Sequence, residues 1–145
     1  MLKSIAIAAA LVLAGGGAAV AQSNPTGTAL VEALFANLEA DVVKGLPVIS
    51  NSRGILPKET TADHTFNAVS GHTYAVVGVC DEGCSDLDLG VYAGDGSVMG
   101  SDVEEDDTPV VVFEATETGR HQITVLMAVC GSRCNYGVRV YDATQ

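Results

Sequence analysis

From His64 to Tyr141 the chain breaks into short stretches in which apolar and polar residues alternate. A strand places successive side chains on opposite faces, so such alternation specifies half-buried strands and little else. Seven stretches follow the pattern: His64 to Val69, Thr73 to Cys80, Asp86 to Tyr92, Ser97 to Ser101, Val110 to Glu114, Arg120 to Cys130 and Asn135 to Tyr141. Ser70-Gly71, Gly94-Asp95-Gly96, Thr118-Gly119 and Gly131-Ser132 supply the turns between them. Short strands at this spacing predict an antiparallel β-sandwich. Its inward residues are expected to be Tyr74, Val76, Leu87, Leu89, Val91, Val110, Val112, Ile123, Val125, Met127, Val138 and Val140.

The period is different upstream. Leu30, Leu34, Leu38 and Val42 recur every four residues, and Val31 and Phe35 widen the stripe. Asn24-Pro25 reads as a helix start and Lys44-Gly45 as its end. An amphipathic helix over Thr26–Lys44 is therefore expected, its apolar face packed on the domain or offered to a partner. Gly45 to Asp63, punctuated by Pro47, Gly54 and Pro57, reads as a connector. Ahead of the helix, Lys3, the apolar run Ile5 to Ala14 and the small-x-small site Ala19-Val20-Ala21 form a secretory signal peptide, cut after Ala21. The expected organisation is a signal peptide (1–21), a helix with connector (22–53) and a sandwich (54–145). The mature chain would be periplasmic or secreted, and it holds no apolar run long enough to enter a bilayer.

Export bears on the four cysteines. Cys80 and Cys84, and Cys130 and Cys134, form two CxxxC pairs, each following a strand of similar pattern, "VVGVC" and "LMAVC". Disulfides are expected in an oxidising compartment. The two local pairings, Cys80–Cys84 and Cys130–Cys134, let each bridge clamp its own turn. A cross-linked pairing would need the two turns side by side. Zinc and redox chemistry both favour CxxC spacing.

Eighteen acids face seven Lys and Arg, a formal charge of −11. Such a balance argues against nucleic acid and anionic membrane surfaces and favours cations. Ten of the acids fall between Asp81 and Asp107, a segment with no Lys or Arg. Asp86 and Asp88 share a strand face, and a chain reversal at Gly94-Asp95-Gly96 could bring Asp106 and Asp107 back towards them. Carboxylates mixed with loop carbonyls suit calcium, so Asp86, Asp88, Asp106 and Asp107 are the candidate ligands, although the spacing is not that of an EF-hand. The alternative is a solvated acidic face.

No nucleophile elbow, SxxK, HExxH or phosphate-binding loop is present, and His64, His72 and His121 are scattered, so no enzyme is expected. A role in binding remains, with a protein or polysaccharide as ligand. For sugars the sequence offers no Trp, and Tyr92, Tyr136 and Tyr141 could be packed or exposed. A second possibility is a structural or assembly component of the cell envelope, docked through its helix.

Several stretches together resemble the bacterial pre-peptidase C-terminal domain family. They are Gly71-His72-Thr73-Tyr74, the strand Asp86-Leu87-Asp88-Leu89-Gly90-Val91-Tyr92, the turn Asp95-Gly96, and Thr118-Gly119-Arg120-His121-Gln122-Ile123-Thr124-Val125, where His121 takes a position usually held by an aromatic such as Tyr. The resemblance implies a jelly-roll-like sandwich of about eight strands that is not itself catalytic. It implies a link to secretion, folding or substrate binding, with calcium bound in some members.

Overall fold

Eight strands, not seven, carry the chain in the computed structural model, which describes residues 24–145. The signal-peptide reading of residues 1–21 lies outside the described residues. One helix, α1 (Gly27–Asp41), precedes β1 (Val48–Pro57), β2 (Thr60–Ala68), β3 (Thr73–Cys80), β4 (Cys84–Tyr92), β5 (Val98–Asp102), β6 (Val110–Glu114), β7 (Gly119–Cys130) and β8 (Arg133–Asp142). Two antiparallel four-stranded sheets form, in the orders β1-β8-β3-β6 and β2-β7-β4-β5. The result is the expected all-β, jelly-roll-like sandwich preceded by one amphipathic helix. No described helix is long and apolar enough to cross a membrane.

Each sheet is built around two central strands, and the two cysteine turns each join a central strand of one sheet to a central strand of the other. Cys80 ends β3 in one sheet and Cys84 begins β4 in the other, and the two are bridged. Cys130 and Cys134 join β7 to β8 in the same way. The two corners also touch. Gly131 N–H donates to Gly83 O (3.0 Å), and Asp81, buried, accepts from the Asn135 backbone N–H (2.8 Å) and side-chain amide (2.7 Å). Between the sheets lies the main core, with Leu87, Leu89, Val91, Val76, Val125 and Val140 all at most 1% exposed.

Two expectations about strands are corrected. The connector over Gly45 to Asp63 is instead strand β1, a turn at Lys58-Glu59 and the start of β2. Its prolines are compatible with this because β1 is an edge strand and Pro57 is its last residue, where a missing N–H costs no ladder bond. Gly54 is needed where β1 passes the Tyr136 ring, since a Cβ there would lie 2.8 Å from the phenol oxygen. In β6 the faces are reversed: Val111 and Phe113 point inward, while Val110 and Val112 are exposed. The run Val110-Val111-Val112 has no alternation of its own. Phe113 decides the register by packing against Phe66 and Tyr74.

α1 packs across the middle of the outer face of the β1-β8-β3-β6 sheet, over β3 and β8, as a third layer, and leaves Ile55, Val110 and Val112 exposed at the edges. Val31 and Phe35 are the buried residues of the helix, and they rest on Ala75, Val77, Val79 and Tyr141. Leu34 and Leu38 flank this seam, and Val42 is exposed. Gly137 makes the close approach possible, because a Cβ there would sit 2.6 Å from Phe35 and 2.8 Å from Val31. Arg139 then clasps the helix. Its guanidinium lies 4.2 Å over the Phe35 ring and bonds Glu39 and Glu32, each at 2.7 Å. Burial, then the hydrogen bond donated to Glu39, pushes the neighbouring Tyr141 phenol up to about 12. The helix begins at Gly27 rather than through an Asn24-Pro25 cap. Glu82, from the first cysteine corner, accepts the Gly27 N–H at 2.9 Å.

Two substitutions check this architecture. Gly137→Ala should destabilise by about 1–3 kcal/mol through overpacking under α1, seen as a lower midpoint in denaturant. His121 is fully buried against Phe66 and Phe113, with Nδ1 3.2 Å from Gly119 O and Nε2 unpartnered. His121→Phe removes that orphan atom and should stabilise by about 1 kcal/mol, seen as a higher midpoint in denaturant.

Candidate functional site

With one face of the sandwich under α1, the outer face of the β2-β7-β4-β5 sheet is the broad surface left open. Register sets out its side chains as a grid. Asp63, Thr124, Gly90 and Ser101 stand in one row across the four strands, and Thr61, Leu126 and Asp88 in the next. Thr124 donates to Asp63 (2.7 Å), and Gln122 donates to Thr124 (3.2 Å). Gly90 leaves a gap that the Tyr92 phenol crosses: a Cβ at position 90 would lie 2.8 Å from its oxygen and 3.0 Å from its ring. A groove of about 210 Å³ results, lined by Thr61, Asp88, Tyr92, Val103, Thr124 and Leu126. Of the three tyrosines singled out in the sequence, Tyr136 and Tyr141 are buried and Tyr92 is half-exposed on this face. A glycine two residues before a tyrosine on one strand face was the available signal for the groove.

The acidic segment divides into two populations. Most of its loop carboxylates cap their own backbone. Asp95 accepts from Ser97, which pulls its carboxyl below the usual range. Asp102 accepts from Glu104 and Val110, Asp106 from the Thr108 N–H, and Asp107 from the Thr108 hydroxyl. The turn at Asp95 joins β4 to β5, and those from Asp102 to Thr108 carry the chain from β5 to β6 across the flank of the sandwich. There Asp106 O receives the Leu87 N–H and Pro109 O the Gly78 N–H.

Asp86 and Asp88 are the second population. Both point outward from β4, and no described Lys, Arg or His pairs with either: the ion pairs are Arg53–Glu32, Lys58–Glu59, His72–Asp142, Arg139–Glu32 and Arg139–Glu39. The Asp86 Oδ1 is sealed from solvent and unpartnered, although the residue as a whole stands half-exposed at the edge of an irregular stretch of β4. Desolvation, then Glu105 and Asp106, raises its pKa. Desolvation, then Asp86 and Asp102, does the same for Asp88. The Asp107 side chain is engaged by Thr108. Among the described residues, no three His, Cys, Asp or Glu side chains are grouped closely enough to hold a metal ion.

The histidines do not form a catalytic set with a nucleophile. His64 bonds the Tyr136 hydroxyl at 2.8 Å, with its pKa lowered by burial against an opposing pull from Asp63. His72 meets Asp142 at 3.1 Å, and His121 is sealed in the core.

No protein-family model matches the chain, and no curated protein matches it in sequence. Solved structures do resemble it. The pre-peptidase C-terminal domain of a collagenase from Bacillus anthracis aligns with a TM-score of 0.51 at 14% identity, over 64% of this chain and 89% of that one. A periplasmic inhibitor of g-type lysozyme from Aeromonas hydrophila aligns at 0.49 and 16% identity, over 68% and 88%. A carbohydrate-binding module of family 36, solved with calcium and xylotriose, aligns more loosely, at 0.39 and 12%, over 66% and 92%. At these identities the collagenase domain shares a β-sandwich fold with this chain, and the likeness extends no further.

A raised carboxylate pKa means that the native state holds the proton more tightly than the unfolded chain. Asp86 and Asp88 therefore oppose folding above their native pKa values, and that opposition fades as pH falls below them. Asp86→Asn and Asp88→Asn should each raise the melting temperature at neutral pH, with the gain shrinking on acidification through the carboxylate range. Loss of stability at neutral pH in both variants would contradict the repulsion.

Proposed function

We propose that the protein is an exported, non-catalytic binding or accessory module that recognises a protein or glycan partner through the open face of its β2-β7-β4-β5 sheet. The observation that carries this reading is the asymmetry of the sandwich. α1 covers the middle of one outer face, over β3 and β8, whereas the other is uncovered and holds a groove beside Tyr92 and Asp88, a carboxylate with no ion-pair partner among the described residues. Two intact disulfides suit the oxidising periplasm or exterior. The scattered histidines, none bonded to a serine or cysteine, support a role without catalysis.

The alternative, an envelope component docked through its helix, finds less support. The apolar seam of α1 is occupied by its own sheet through Val31, Phe35 and the Arg139 clasp. Fluorescently labelled protein can be screened against immobilised glycans and exported proteins, with Thr124→Arg blocking the face and Ala36→Arg altering the solvent side of α1. Any partner found should lose affinity at least about tenfold with Thr124→Arg, a cost of about 1.4 kcal/mol, and little with Ala36→Arg. The reverse pattern would favour helix docking.

A further inference from the structure

We propose that the groove on the open sheet face receives an arginine side chain from a partner protein, with the guanidinium against Tyr92 and Asp88. The inference rests on the reading of that face as the recognition surface and names the chemistry of its occupant. The groove offers each part of an arginine a matching surface. Leu126 and Val103 give apolar walls for the methylene stem. The Tyr92 ring, held across Gly90, gives a π-face for the planar cation. Asp88, without an ion-pair partner among the described residues, gives a carboxylate that a guanidinium can bond through two parallel N–H groups. Thr61 and Thr124 add hydroxyls at the rim.

Charge supports the same occupant. Asp86 and Asp102 stand close enough to Asp88 to disfavour its ionised form, so an incoming cation relieves a repulsion already present in the free protein. The chain as a whole carries −11, which steers basic surfaces towards it and anionic ones away. The molecule repeats the arrangement within itself: Arg139 lies over Phe35 while bonding Glu32 and Glu39.

The test is an NMR titration of the ¹⁵N-labelled, oxidised protein with acetyl-arginine-amide. Acetyl-citrulline-amide, of the same shape without the charge, and a neutral trisaccharide are the parallel ligands. Arginine should give saturable millimolar shifts at Gly90, Ser101 and Thr124. Binding should weaken about tenfold with citrulline, in Asp88→Asn and in Tyr92→Ala. Equal binding of citrulline, unchanged binding in Asp88→Asn, or no shift with millimolar arginine would overturn the proposal. Shifts at these residues with the trisaccharide alone would overturn this occupant and leave the face as the recognition surface. Arginine shifts confined to the loop from Val103 to Thr108 would show counterion attraction only and overturn it as well.

Discussion

The sandwich depends on the two places where its central strands change sheets. β3 and β8 form the middle of one sheet, β4 and β7 the middle of the other, and each sheet change runs through a five-residue CxxxC turn. Each bridge constrains the unfolded chain by about 2 kcal/mol in the loop-entropy model. Their placement matters more than their size. The corners are side by side, bonded through Gly83 and Gly131 and braced by Asp81 on Asn135, so the centres of both sheets are set together. Edge strands then pair onward from them, β1 and β2 on one flank, β5 and β6 on the other. Even the helix takes its starting point from a corner, through Glu82.

Strands were legible where apolar runs lie between clear turn signals. β3 and β6 begin and end at the expected residues, although β3 is buried on both faces, and the local disulfides form as their matching strands suggested. The pattern failed where a strand is little buried or where its residues carry no phase. β1 is an edge strand with weakly covered faces, and its prolines and glycine read as loop. Within β6 three consecutive valines carry no phase, and only the neighbours of Phe113 reveal which face is inside. The start of α1 depends on a residue 55 positions away, which no local signal can report.

The acidic segment was legible as a concentration of charge but not as a division of labour. Backbone-capping aspartates and outward-facing strand aspartates look alike in one dimension. Three dimensions separate them: Asp95, Asp102, Asp106 and Asp107 are spent on turns, while Asp86 and Asp88 face outward without a cation. The groove beside Asp88 was hidden for a related reason. It exists because a ring crosses an absent side chain at Gly90, and an absence contributes nothing to hydrophobic periodicity.

The helix layer has a consequence for how such a molecule behaves on a target. A bare sandwich presents two broad faces and can be gripped from both. Here α1 takes up the middle of one of them with its own hydrophobic seam and the Arg139 clasp, so the two faces differ in how much strand surface they offer. A molecule that approaches the bare sheet meets side chains fixed by strand register, whereas one that approaches from the other side meets the helix first.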